Sequence, residues 1–163
     1  MNAPSLMKRN YTLLFVLFAV AVFYLWRYRR TPDIPLATIS ITTSDGTTDN
    51  LLNALEDSSV VVCYASWCGP CLKELRWLKE AYPTLHQAGI HFYCLSDDST
   101  EKMDVMRANM PTGIEFIHVE SLKDLGIFTI PATFFIYKKT IIDKQLDAID
   151  WREHQPIINR FNS

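Results

Sequence analysis

Residues Trp67 to Cys71 read W-C-G-P-C, and no other segment restricts the fold of this chain as strongly. Two thiols two residues apart can close a small disulfide and reopen it, which is the chemistry of thiol–disulfide exchange. The motif follows the apolar run Val60-Val61-Val62-Cys63-Tyr64-Ala65 and opens a segment with helical spacing at Leu72, Leu75, Leu78 and Tyr82. A strand that delivers a cysteine pair to the start of a helix is the setting a redox C-x-x-C needs. At a helix N-terminus the first N–H groups lack intrahelical partners and the dipole is positive, so a thiolate at Cys68 is stabilised and its pKa falls. Cys71, one turn further in, is the less exposed thiol and the one suited to resolve a mixed disulfide. Pro70 lies in the first turn, where its missing N–H costs little, and Gly69 leaves Cys68 uncovered. The competing reading, half of a zinc site, needs a second ligand pair, and there is no second C-x-x-C.

The 163 residues suffice for one domain with a real core. Charge is unevenly spread. Residues 1–30 hold Lys8, Arg9, Arg27, Arg29 and Arg30 and no acid, leaving 11 basic against 18 acidic residues, a formal −7, in the remainder. An acidic body argues against nucleic acid as a partner. Tyr11 to Trp26 run for 16 residues without a charge, short of the roughly 20 that a bilayer span prefers. Extended from Asn10 to Tyr28, with Arg27 snorkelling, the segment reaches about 28 Å against a hydrocarbon core of about 30 Å. Tyr11, Tyr24, Trp26 and Tyr28 sit at its ends as an aromatic belt does. A cleaved signal peptide wants small residues after the apolar run, whereas Trp-Arg-Tyr-Arg-Arg follows here. The expectation is an uncleaved single-pass anchor over residues 1–30, a Pro-containing linker over 31–35 and one domain over 36–163. Flanking charge alone leans weakly toward a cytoplasmic domain.

Within the domain, Leu36 to Ile41 alternates as a strand does, Ser44-Asp45-Gly46 reads as a turn, and Thr48 to Leu55 as a short helix. Ser59 to Ala65 is a central strand, Gly69 to about His86 the active-site helix, and Ile90 to Leu95 the next strand. A helix over Thr100 to Asn109, a strand over Ile114 to Val119 and a short helix over Ser121 to Leu125 follow. Ala132 to Tyr137 and Ile141 to Leu146 form a hairpin around Lys138-Lys139-Thr140, and Trp151 to Phe161 a final helix. The order describes an α/β domain, a mixed sheet with helices on both faces, with Cys68 at the C-terminal end of a parallel strand.

Together these residues resemble the thioredoxin superfamily, and more narrowly its membrane-anchored bacterial reductases of the TlpA, ResA and DsbE type. The resemblance rests on Ala65-Ser66-Trp67-Cys68-Gly69-Pro70-Cys71, Ser96-Asp97-Asp98, Gly126 to Phe135 (G-I-F-T-I-P-A-T-F-F) and Asp150-Trp151, within Leu36 to Phe161. It implies a thioredoxin-like fold and a cis Ile130–Pro131 bond facing the cysteines, with the backbone of Ile130 pairing with an extended substrate segment. Two departures stand out. Thioredoxins keep a buried acid six residues before the first cysteine, where this chain has Val62. ResA-type proteins instead carry a glutamate three residues after the second cysteine, here Glu74, on the same side of the helix as Cys71. A partly buried Glu74 with a raised pKa that relays a proton for Cys71 is the resulting expectation, against a solvated charge paired with Lys73 or Lys79. At Arg76 many relatives have a helix-kinking proline, so a straighter helix is expected.

Cys63 and Cys94 read first as small buried hydrophobes, with a second redox or metal pair as the alternative. The four histidines, His86, His91, His118 and His154, read as unrelated surface or strand residues without shared ligand spacing, and Met103, Met106 and Met110 as core or groove filler. Trp77 and Trp151 read as packing residues, whereas Trp67 is expected to form an apolar rim for docking. The expected activity is reduction of protein disulfides without a prosthetic group: Cys68 attacks, Cys71 resolves, Trp67, Gly69, Pro70, Ile130 and Pro131 meet the substrate. The resemblance adds a membrane electron-transfer protein as the reductant partner and the periplasmic face of the inner membrane as the location, with cytochrome c maturation among the fitting roles. Gly-Pro between the cysteines and Ile before the proline match reducing thioredoxins, at about −270 mV against about −120 mV for a strong oxidant. A non-catalytic chaperone using the cis-proline groove and a copper- or zinc-handling thiol protein are the rival readings.

Overall fold

The computed structural model of the chain describes residues 14–23, 33–42 and 48–162. Residues 14–23 are helical with their side chains exposed. Among the described residues no helix is long and apolar enough to cross a membrane. The rest of the expected span, and the expected turn at Ser44-Asp45-Gly46, lie outside the described residues. Contacts separate a unit of residues 1–32 from one of residues 33–163, and the second contains the sheets.

That unit begins with a 3-10 turn over Leu36–Thr38, then β1 (Ser40–Thr42) and β2 (Thr48–Asn50), which pair antiparallel, then α1 (Leu51–Ala54). The expected strand over 36–41 and helix over 48–55 are therefore both corrected. Buried Leu36 and Ile39 stand three residues apart, the period of a 3-10 turn, and only Ile39 and Ile41 keep strand alternation. The helix starts late because Asn50 caps it, its side chain accepting from the Asn53 N–H at 3.0 Å.

The main sheet is built around β3 (Ser58–Cys63), whose Val60, Val61, Val62 and Cys63 are buried on both faces and so demand a central position. Helix α2 (Gly69–Gln87) crosses over to β4 (His91–Ser96), parallel to β3. Helix α3 (Thr100–Ala108) leads to β5 (Ile114–His118), parallel to β4. β6 (Ala132–Tyr137) returns antiparallel on the other side of β3, followed by β7 (Thr140–Gln145), for a strand order of β5-β4-β3-β6-β7. α4 (His154–Asn159) closes the domain. One core lies on the face covered by α2, with Val60, Val62, Leu75, Leu78, Leu85, Phe92, Cys94, Phe135 and Trp151. The other face buries Val61, Cys63, Tyr93, Leu95, Phe134 and the leucines and isoleucines of residues 34–55. Leu75, Leu78 and Leu85 are fully buried along α2, each contributing on the order of 2 kcal/mol of transfer free energy that anchors the active-site helix to the sheet.

Helix α2 carries Pro70 in its first turn and an exposed Pro83, whose missing N–H removes one bond of the last turns. Three further expectations change. Ser121 to Leu125 is a run of turns and not a helix: the Leu122 N–H is taken by Asp97 Oδ2 at 3.2 Å, and Gly126 turns the chain at φ +81°. The last helix begins at His154, because Trp151 is drawn wholly into the core ahead of it. In the hairpin, Lys138 and Lys139 both adopt positive φ (49° and 66°), the two-residue turn that matches strand twist, and Thr140 already belongs to β7. Lys139 Nζ donates to the Asn53 carbonyl at 3.0 Å, and also to that of Leu55, which helps hold this turn without a glycine.

Candidate active site

β3 ends at Cys63, and the chain continues through buried Tyr64 and Ala65 to the start of α2. Cys68 is the N-cap, its Sγ accepting from the Cys71 N–H at 3.2 Å, and the Leu72 N–H donates to the Cys68 carbonyl at 3.0 Å. One orphan N–H of the first turn, that of Cys71, therefore points at the Cys68 sulfur, and with the positive end of the helix dipole this favours a thiolate there. Cys68 and Cys71 are joined as a disulfide, S–S 2.08 Å, with Cα atoms 5.2 Å apart. Gly69 and Pro70 are exposed, and a Cβ at Gly69 would meet nothing within 4 Å, so this side of the disulfide is open. The Ile130–Pro131 bond is cis, and the Ile130 carbonyl oxygen lies 3.9 Å from Cys68 Sγ. Pro131 is buried and Ile130 half-buried. Trp67, next to Cys68, is 75% exposed, and Phe128, two residues before Ile130, is 76% exposed.

Asp98 holds the approach to the motif. Its buried carboxylate accepts from the Ser66 backbone N–H at 2.6 Å, the Ser66 hydroxyl at 3.1 Å and the Ser96 hydroxyl at 3.1 Å. The loop after β4 is thereby fastened to the residue two places before Cys68.

Glu74 lies one turn beyond Cys71 and is completely buried. Its Oε1 accepts from the Thr133 hydroxyl at 3.0 Å and from the Trp151 indole N–H at 3.2 Å, while Oε2 has no hydrogen-bond partner among the described residues. Burial pushes the carboxyl up from 4.5 to about 7. The hydrogen bonds from Thr133 and Trp151, and the nearby Ile149 backbone, oppose that rise. A carboxyl that exchanges its proton near neutrality, one turn from a thiol that must ionise, can act as acid or base. The alternative of a solvated Glu74 paired with Lys73 or Lys79 is excluded by its burial; Lys73 lies instead over the Trp77 ring, 4.6 Å from its centroid.

Residues 29–145 match the AhpC/TSA family, well over half of the chain. The chain belongs to the AhpC/TSA family. The thiol-disulfide oxidoreductase ResA of Bacillus thuringiensis is 30% identical over 95 residues, 55% of this chain and 54% of that protein. The chain thus spans about half the length of the curated relatives it matches. A thioredoxin-like protein from Porphyromonas gingivalis shares the fold with a TM-score of 0.59 at 21% identity, covering 78% of this chain and 88% of that one. StoA from Bacillus subtilis does so with a TM-score of 0.57 at 17% identity, covering 78% and 98%.

In this AhpC/TSA family member, the structure brings Cys68, Cys71, Ile130 and Pro131 together, and sets Glu74 one turn behind them in the core. Sequence does not single out Asp98, Thr133 or Phe128 as functional; all three stand within the segments carrying the resemblance, and Asp98 and Thr133 act through contacts 32 and 59 residues distant. Trp151, expected only to pack, also donates to Glu74. Cys63 and Cys94 do not form a second redox pair. Cys94 is opposite Val62 in the β3–β4 register and shares its face of the sheet, whereas Cys63 points to the other; burial raises both thiols far above their usual range. His86 and His91 do stand at H-x₄-H spacing, which the reading of unrelated histidines overlooks. Their rings are 5.4 Å apart beside Tyr82, at the end of α2 remote from the cysteines. Among the described residues no three His, Cys, Asp or Glu side chains gather as metal ligands.

Proposed function

We propose that the chain is a thiol–disulfide oxidoreductase that reduces disulfides in protein substrates. The Cys68 thiolate attacks one sulfur of the substrate disulfide, forms a mixed disulfide and expels the other substrate sulfur as a thiolate. The Cys71 thiol gives its proton to Glu74 and attacks Cys68 Sγ, releasing the second substrate sulfur and leaving the Cys68–Cys71 disulfide. Two electrons pass from the dithiol to the substrate, and a membrane-bound dithiol reductant returns them. The observation that carries this reading is the disulfide at the start of α2, its Cys68 sulfur 3.9 Å from the Ile130 carbonyl beside the cis proline. An extended substrate segment pairing with the Ile130 backbone would bring its own disulfide to Cys68.

The apolar N-terminus supports a tether, residues 10–28 spanning the inner membrane once; the resemblance to the TlpA, ResA and DsbE type, against the weak lean of the flanking charges, favours the periplasmic side for the 36–163 domain. Reduction of insulin by the full chain, lost in Cys68→Ser, tests the activity. A measured potential above about −180 mV would overturn the proposed direction of electron flow. Alkaline phosphatase fused after Ser163 is expected to be active; an inactive fusion would place the domain in the cytoplasm.

A further inference from the structure

The hydrogen bonding of Glu74 is one-sided. Both donors, from Thr133 on β6 and from Trp151 ahead of α4, reach the same oxygen, Oε1, and Oε2 is buried without a partner among the described residues. A hydroxyl and an indole N–H that both donate to one oxygen stabilise the ionised carboxylate and leave only the other oxygen able to bear a proton. Beyond these two side chains, the Ile149 backbone also favours the ionised carboxylate. Glu74 is coupled electrostatically to the buried thiols of Cys63 on β3 and Cys94 on β4, and Cys71 stands one turn back on its own helix. Asp150 and Arg152, on either side of Trp151, pair with each other at 2.6 Å. No buried cation accompanies Glu74 among the core residues. We propose that Thr133 and Trp151 are positioning residues for Glu74: they fasten Oε1, commit the exchangeable proton to Oε2 and set how readily the carboxyl releases it.

This inference deepens the proton-relay reading of Glu74, and the experiment separates the two. The full chain, in its disulfide form and in mild detergent, is labelled with ¹³C at the glutamate carboxyl carbons, and the Glu74 signal is assigned by its loss in Glu74→Gln. The native protein is expected to titrate near 7. Thr133→Val, which keeps the shape but lacks the hydroxyl, is expected to raise the midpoint by about one unit, a tenfold change in proton affinity, and Thr133→Ser to restore it. Trp151→Phe is expected to act in the same direction, and Thr133→Val stands alone should that variant fail to fold. A Thr133→Val protein with native near-UV circular dichroism and an unmoved midpoint, or a shifted midpoint that Thr133→Ser does not restore, would overturn the inference. If the midpoints move as expected while Glu74→Gln leaves the pH dependence of insulin reduction unchanged, the positioning stands and the relay falls.

Discussion

A carboxyl held wholly inside the core is a pH-dependent stability term, and Glu74→Gln should isolate it. The folded protein binds the Glu74 proton more tightly than the unfolded chain does, with the carboxyl moving from 4.5 to about 7, chiefly through desolvation. The associated stability is fully present below the unfolded value and is lost as pH rises through the folded one. The size of the shift corresponds to about 3 kcal/mol, most of it lost between about pH 5 and pH 8. Gln keeps an oxygen for Thr133 and Trp151 but does not titrate. It places an amide at the site of the unpartnered Oε2, a cost of about 1–3 kcal/mol that is independent of pH. Urea unfolding of both proteins in non-reducing buffer, with the Cys68–Cys71 bond intact, is the assay. The native protein is expected to lose about 2–3 kcal/mol more than Glu74→Gln over that pH range. Parallel curves would refute the claim that Glu74 is a buried titrating group.

Two other predictions follow from the contacts around the motif. Asp98→Ala removes the acceptor of the Ser66 N–H and hydroxyl, so urea unfolding should show a loss of about 2 kcal/mol and the Ser66 amide should exchange with solvent faster. Trp67→Ala and Phe128→Ala, which remove the two exposed apolar side chains nearest in sequence to Cys68 and Ile130, should raise KM for a protein disulfide several-fold. They should leave the rate with a small aromatic disulfide nearly unchanged; equal effects on both would place these residues in folding and not in docking.

What sequence could and could not disclose follows the range of each interaction. The dithiol, its helix and the strand before it are local, fixed by the apolar run into Cys63 and the leucine spacing after Cys71, and all three are present. Glu74 is visible because it stands one turn from Cys71 on the same helix. Its donors are 59 and 77 residues away, and no spacing rule connects them to it. Asp98 is similar: its residue type fits a surface loop as well as a buried clamp, and only the β3–β4 crossover brings it to Ser66. The misread elements are short ones. Leu122 and Leu125 imitate a helical period, but competition from Asp97 and the turn at Gly126 decide the backbone there. Leu36 to Ile41 mixes two periods, and a strand reading fits only its second half.

Capture of the mixed disulfide tests the central claim most directly. Cys71→Ser removes the resolving thiol while leaving Cys68 at the helix start, so incubation of the reduced full chain with a disulfide-bearing protein should accumulate a covalent adduct. Non-reducing electrophoresis and peptide mass spectrometry should place that adduct on Cys68, reversible by dithiothreitol and absent from Cys68→Ser. No adduct with Cys71→Ser, or an equal yield with Cys68→Ser, would contradict the assignment of Cys68 as the attacking thiol.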